Sequence, residues 1–123
     1  MFEAYRHLKH KYPKISLYQE RRLIKQAQGR SKAKKNELVE RHIRFVIFRI
    51  NKIVFTPYRA RFGEDILSQA IFILYAKIKT YDLKYKDKSG NPKPVRFSSY
   101  IWKRIDGFII DYLKNELGKE RTC

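Results

Sequence analysis

Between Glu37 and Phe55 the residues Val39, Ile43, Val46, Ile47, Ile50 and Val54 recur at the spacing of one helix face. Leu38, Phe45 and Phe48 add a second apolar flank. A helix with so wide an apolar surface has to be covered on more than one side, so further amphipathic helices must surround it. The segment therefore predicts the central helix of a bundle, capped by Asn36 and ended by Pro57.

The remaining segments supply the covering helices. Ser16 followed three residues later by Gln19 is a capping-box pattern, with Pro13 just ahead, and Gly29 stops that helix after about Ala27. Gly29 to Lys35 is a basic connector suited to sequence-independent phosphate contact. Glu64 and Asp65 predict the start of a third helix, whose buried face carries Leu67, Ala70, Ile71, Leu74, Ile78 and Tyr81. Between Asp82 and Pro94 the lysines, Gly90 and two prolines predict a loop without regular structure. A last helix spans about Phe97 to Leu117, with Gly118 as its stop. Few segments read as strands, so the expected fold is all-α: a compact helical bundle in a single domain.

Charge narrows the partner. Twenty-nine Lys and Arg stand against 12 acidic residues, a formal net charge of +17, and a surplus of that size points to a polyanion. An apolar fraction of 43% with 15% aromatic residues excludes a disordered basic tail. Arg49, Asn51 and Lys52 interrupt the longest apolar stretch, so neither a membrane span nor a membrane partner is expected. The opening residues, Met1 to His7, lack the apolar core of a signal peptide. The lone cysteine, Cys123, has no pairing partner in the chain, which fits a reducing cytoplasm. His7 and His10 are too few for a metal site, and no cofactor-binding motif occurs. Asp65, Asp82, Asp106 and Asp111 could in principle serve a two-metal nuclease. Helix-start and helix-surface roles explain Asp65 and Asp111 better, and no nucleophile–base arrangement is visible, so no enzymatic activity is expected.

The last helix carries the functional signal. Ile101, Ile105, Phe108, Ile109 and Tyr112 share its core side, whereas Arg96, Ser99, Lys103, Gly107, Ile110 and Lys114 lie on another stripe. Tyr100 and Trp102 border that stripe, and aromatics interleaved with cations suit stacking on unpaired bases beside their phosphates. Trp102 fits a core anchor equally well. Gly107 inside a helix costs about 1 kcal/mol relative to Ala, so close backbone approach or tight packing is expected there.

With the helices placed, the order of motifs from Ile15 to Glu116 resembles the second domain of sigma-70 family RNA polymerase sigma factors. Leu17 to Gly29 is similar to the end of region 1.2, and Glu37-Leu-Val-Glu-Arg-His-Ile-Arg-Phe-Val to the "LVEANLRLV" of region 2.1. Asp65-Ile-Leu-Ser-Gln-Ala-Ile-Phe-Ile-Leu follows the region 2.2 pattern "DLIQEGxIGL", and Tyr81-Asp82 follows its "FD". Phe97-Ser-Ser-Tyr matches the "FSTY" of region 2.3, and Arg104 to Leu113 resembles the "RIRGAMLDELR" style of alternative sigma factors. On this reading residues 15–35 are region 1.2-like, 36–62 region 2.1-like, 63–82 region 2.2-like and 96–117 region 2.3/2.4-like. An N-terminal segment (1–14), a loop (83–95) and a C-terminal tail (118–123) complete the chain.

The resemblance implies a transcription initiation factor that binds core RNA polymerase and recognises and melts a minus-ten-like promoter element. The clamp coiled coil of the polymerase's largest subunit would be met by Asp65, Ser68, Gln69, Phe72 and Tyr75. A flipped adenine would be held by Tyr81, Arg96, Ser99 and Tyr100, and the element's last thymine by His42 and Ser98. The family's tandem tryptophans are replaced by Lys103-Arg104, with Trp102 one position earlier, and Gly107 stands where many members carry a polar base reader. Ser68-Gln69 replaces the family's Gln-Glu pair. Regions 3 and 4 have no counterpart in the sequence; either a separate protein supplies region 4, or the minus-ten contact suffices, as in reduced phage sigma subunits. The bacterial nucleoid, or the cytoplasm of a phage-infected cell, is the expected location. A DNA-binding regulator without a polymerase partner, reading a sequence or coating single strands, is the rival reading.

Overall fold

A computed structural model describes residues 2–121, with side chains through residue 119. A 3-10 turn at Glu3–Tyr5 leads into α1 (Leu8–Lys11), followed by α2 (Leu17–Gln28), α3 (Lys32–Ile53), α4 (Thr56–Thr80) and α5 (Phe97–Arg121). Helix α3 packs against each of the other four, as its two-sided apolar surface requires. The all-α bundle expected from the apolar stripes is the fold, and the described residues contain no strand, only an isolated Lys86–Pro92 bridge in the loop before α5. None of the described helices is long and apolar enough to cross a membrane.

Local chemistry sets most of the helix ends. The predicted capping box closes α2: Ser16 Oγ accepts from the Gln19 amide, and the Gln19 side chain accepts from the Ser16 amide. Helix α3 starts five residues earlier than Asn36 would place it. Ser31 is its cap, accepting from the Lys34 amide, so the basic run 32–35 is helical and not linker. Asn36 instead accepts a hydrogen bond from the Tyr75 hydroxyl.

Two further boundaries differ from expectation. Pro57 does end α3 in the sense that Val54 is extended, but it lies in the first turn of α4, which begins at Thr56 and not at Glu64. Proline lacks only an amide that the first turn leaves unbonded anyway, so it opens a helix as readily as it closes one. Gly118 does not stop α5, which continues to Arg121. Thr122 and Cys123, part of the expected tail, lie outside the described residues.

The core gathers the expected stripes and one addition. Val39, Ile43, Val46 and Ile50 from α3 meet Leu67, Ala70, Leu74 and Ile78 from α4 and Ile101, Ile105 and Ile109 from α5. Phe2 and Leu8 of the N-terminal segment are buried with them. That segment is held by Glu40, which accepts from the Tyr12 hydroxyl and from Lys11 Nζ at 3.1 Å. Phe48, expected on the apolar flank, is instead 48% exposed.

Candidate nucleic-acid interface

The position of α5 is fixed from a distance in sequence. Glu20, only 6% exposed on α2, accepts from the Phe97 amide (2.6 Å) and from Arg96 Nη1 (3.2 Å). A carboxylate at a helix N-terminus satisfies an orphan amide and complements the helix dipole. Arg96 also donates to the Ile15 carbonyl at 2.9 Å, so its guanidinium ties α5 to the entrance of α2.

Beside this anchor lies a hollow of ≈ 270 Å³, lined by Thr80, Tyr81, Asp82, Tyr85, Lys93, Val95 and Tyr100. Tyr81 and Tyr100 meet edge to face at 5.3 Å. The Tyr81 hydroxyl donates to the Val95 carbonyl, burying all but the ring's margin. The Tyr100 hydroxyl pairs with Thr80 Oγ1 at 2.6 Å, and Lys77 Nζ sits 5.2 Å from its ring centroid. The ring is therefore held in one orientation with a cation beside it. Gln28 steadies the wall by donating to the Ile78 and Tyr81 carbonyls, groups that the end of α4 leaves unbonded.

The loop before α5 is more ordered than its composition predicts. The Asp87 amide donates to the Asn91 carbonyl, the Lys93 amide to the Tyr85 carbonyl, and Gly90 takes the positive φ of 83° that the tight turn needs. This small hairpin brings Tyr85 and Lys93 to the rim of the hollow. Sequence reasoning passed over both residues, and a Gly-Asn turn flanked by tyrosine and lysine was the available signal.

The predicted site residues divide into three groups. Tyr81 and Tyr100 share the hollow, whereas Arg96, Ser98 and Ser99 are not on its wall. His42 is buried, its Nδ1 2.8 Å from the Leu38 carbonyl and its ring edge-on to Phe97 at 4.9 Å. Burial lowers its pKa below the ordinary 6.5 and favours the neutral ring. It borders a second hollow of ≈ 180 Å³ with Arg41, Arg44 and Arg96, and Ser98 is not part of that wall.

On the α3 side of α5, Trp102 is 41% exposed and is no core anchor. Its ring meets Phe45 edge-on at 5.3 Å, its indole N–H donates to Asp106, and the Arg49 guanidinium lies 4.6 Å from its centroid. Arg49 and Asp106 form a two-pronged ion pair at 2.9 and 2.8 Å. Lys103 and Arg104 are exposed beside it. Tight packing does not explain Gly107: a Cβ built there meets no atom within 4 Å, so no neighbour within the described fold accounts for the glycine.

The predicted partner-binding stripe on α4 is a single outward face. Asp65, Ser68, Gln69 and Phe72 are exposed and Tyr75 is half-buried. Phe72 is 75% exposed and makes this face apolar at its centre. Asp65 accepts from the Gln69 side chain and from the Tyr112 hydroxyl, while Ser68 turns back to the Glu64 carbonyl. No family model, curated protein or solved structure matches the chain.

Proposed function

We propose that this chain is a transcription initiation factor of the sigma domain 2 type. It binds core RNA polymerase through the Asp65–Tyr75 face of α4 and captures unpaired bases of a minus-ten-like promoter element along α5. It acts by binding and not by chemistry: the energy of stacking and phosphate contacts offsets the few kcal/mol needed to take a base out of the duplex stack.

The observation that supports this reading most directly is the aromatic hollow at Tyr81 and Tyr100, with Lys77 and Lys93 beside it. A volume of ≈ 270 Å³ lies just below that of drug-sized ligand pockets and suits a single planar ring. Tyr85 and Lys93 complete the site from the loop. The exposed Phe72 supports the polymerase contact, because a large apolar side chain left in water on a helix face is the usual mark of a partner surface. A polymerase-bound factor working on promoter DNA places the chain in the bacterial cytoplasm.

The test mixes the purified chain with bacterial core polymerase and a fork-junction DNA carrying unpaired adenine in the non-template strand. The chain should comigrate with polymerase and protect the unpaired strand. Tyr100→Ala should lower affinity for the fork much more than affinity for duplex. Tight duplex binding without any polymerase association would overturn the reading in favour of a regulator that works alone.

A further inference from the structure

A second aromatic surface lies on the far side of α5 from the Tyr100 hollow. The Arg49 guanidinium carbon is 4.6 Å from the Trp102 ring centroid and 5.9 Å from that of Phe48. Lys52 Nζ lies 5.6 Å from the Phe48 ring. The two rings are thus neighbours about one cation. Arg44 and Lys103 are exposed close by in the sequence of the same two helices. Trp102 is held by Phe45 and Asp106, and Phe48 stands on a helix whose opposite side is core. Beside Phe48 a hollow of ≈ 350 Å³ separates α3 from the N-terminal segment, with Tyr5, Arg6 and Arg44 on its wall.

Phe48 has no reason to be outside on stability grounds, since a ring that is 48% exposed forgoes much of its burial energy. Its surroundings decide what covers it. Asp106, the carboxylate beside Trp102, is already neutralised by Arg49, and the charged side chains set against the Phe48 ring, Arg49 and Lys52, are cationic. Such a surface repels a basic partner, including a second copy of this +17 chain, and accepts an aromatic polyanion. We propose that the Phe48–Trp102 surface is a stacking platform for unpaired DNA, distinct from the Tyr100 hollow and usable without a polymerase. Bases lie on the two exposed rings while Arg44, Lys52 and Lys103 take the phosphates, an arrangement that tolerates any base because every base has a π-face.

Trp102 is the sole tryptophan of the chain, so its emission reports on this surface and no other. The experiment titrates the full chain with short oligo-dT and with an abasic oligomer of equal length, following tryptophan quenching at fixed salt. Oligo-dT should quench and bind more tightly than the abasic chain. Phe48→Ala and Phe48→Leu should each weaken oligo-dT binding by about 5- to 150-fold, the range for loss of one base–aromatic stack. Far-ultraviolet circular dichroism checks that both variants remain folded. Equal affinity for the abasic oligomer, the absence of quenching, or wild-type binding by both folded Phe48 variants would overturn the platform. Polymerase comigration and preference for an unpaired adenine are read separately, so failure here leaves the minus-ten reading to its own test.

Discussion

The contact between Glu20 and the start of α5 decides whether the aromatic face is held in place, and its removal has a calculable cost. In Glu20→Ala the Phe97 amide loses its acceptor at a residue that is 0% exposed. An orphaned buried amide costs about 1–3 kcal/mol. Loss of a carboxylate at a helix N-terminus adds about 0.3–1 kcal/mol. Arg96 keeps the Ile15 carbonyl and has water available, so its loss of Glu20 contributes little. The carboxylate's own burial cost disappears in the variant and offsets part of the total.

The net expectation for Glu20→Ala is about 2–3 kcal/mol. With an unfolding entropy near 2.1 cal/mol/K per residue, each kcal/mol lowers the melting temperature of a chain this long by about 4 °C. The fall should thus be about 8–12 °C, and the urea midpoint should drop with an unchanged m-value. Glu20→Gln keeps an acceptor for the amide and loses only the charge, so it should cost about 1 kcal/mol. Urea unfolding followed by circular dichroism measures both variants. A Glu20→Ala variant within about 0.5 kcal/mol of wild type would refute the reasoning. A Glu20→Gln variant as damaged as Glu20→Ala would show that charge, and not the hydrogen-bond acceptor, carries the contact.

Gly107→Ala should stabilise the chain by about 1 kcal/mol in the same assay, because the added methyl meets nothing within 4 Å and helical glycine carries an entropic cost; a destabilised variant would contradict the open space there. If bases pass over this part of α5, the same variant should bind the fork less well while melting later. His42 makes stability depend on pH: burial holds its folded-state pKa below 6.5, so the unfolded chain takes up the proton first as pH falls. Its contribution should be complete above pH 6.5 and decline below it, and His42→Leu should flatten the difference between urea midpoints at about pH 7.5 and pH 5.5; parallel pH curves would count against it. Phe72→Ala should change stability by less than about 0.5 kcal/mol, since that ring is already in water, yet weaken comigration with core polymerase about tenfold or more.

The helices themselves were legible wherever a periodic apolar face had a strong local signal. Ser16 with Gln19 fixed the start of α2, and the Val39–Ile50 stripe fixed α3 as the element the others surround. Boundaries failed where one residue type has two local meanings. Pro57 reads as a stop but sits in a first turn, and Asn36 reads as a cap although Ser31 is nearer the true start. The candidate face was legible in part: Tyr81 and Tyr100 share a hollow, and Trp102 and Phe72 are exposed. Tyr85 and Lys93 were not, because their loop gains its order only from a five-residue turn closed by backbone hydrogen bonds.

Sequence by itself determined the all-α class, the helical stripes and the cationic, aromatic character of α5, since these follow from residue spacing and charge within single segments. The tertiary structure alone decided which residues became partners. Glu20 caps a helix 77 residues away, Arg49 pairs with Asp106 at a separation of 57, and Phe48 is left 48% exposed. Such contacts depend on how helices of known character dock, and a periodic pattern that names a buried face does not name the face it will be buried against.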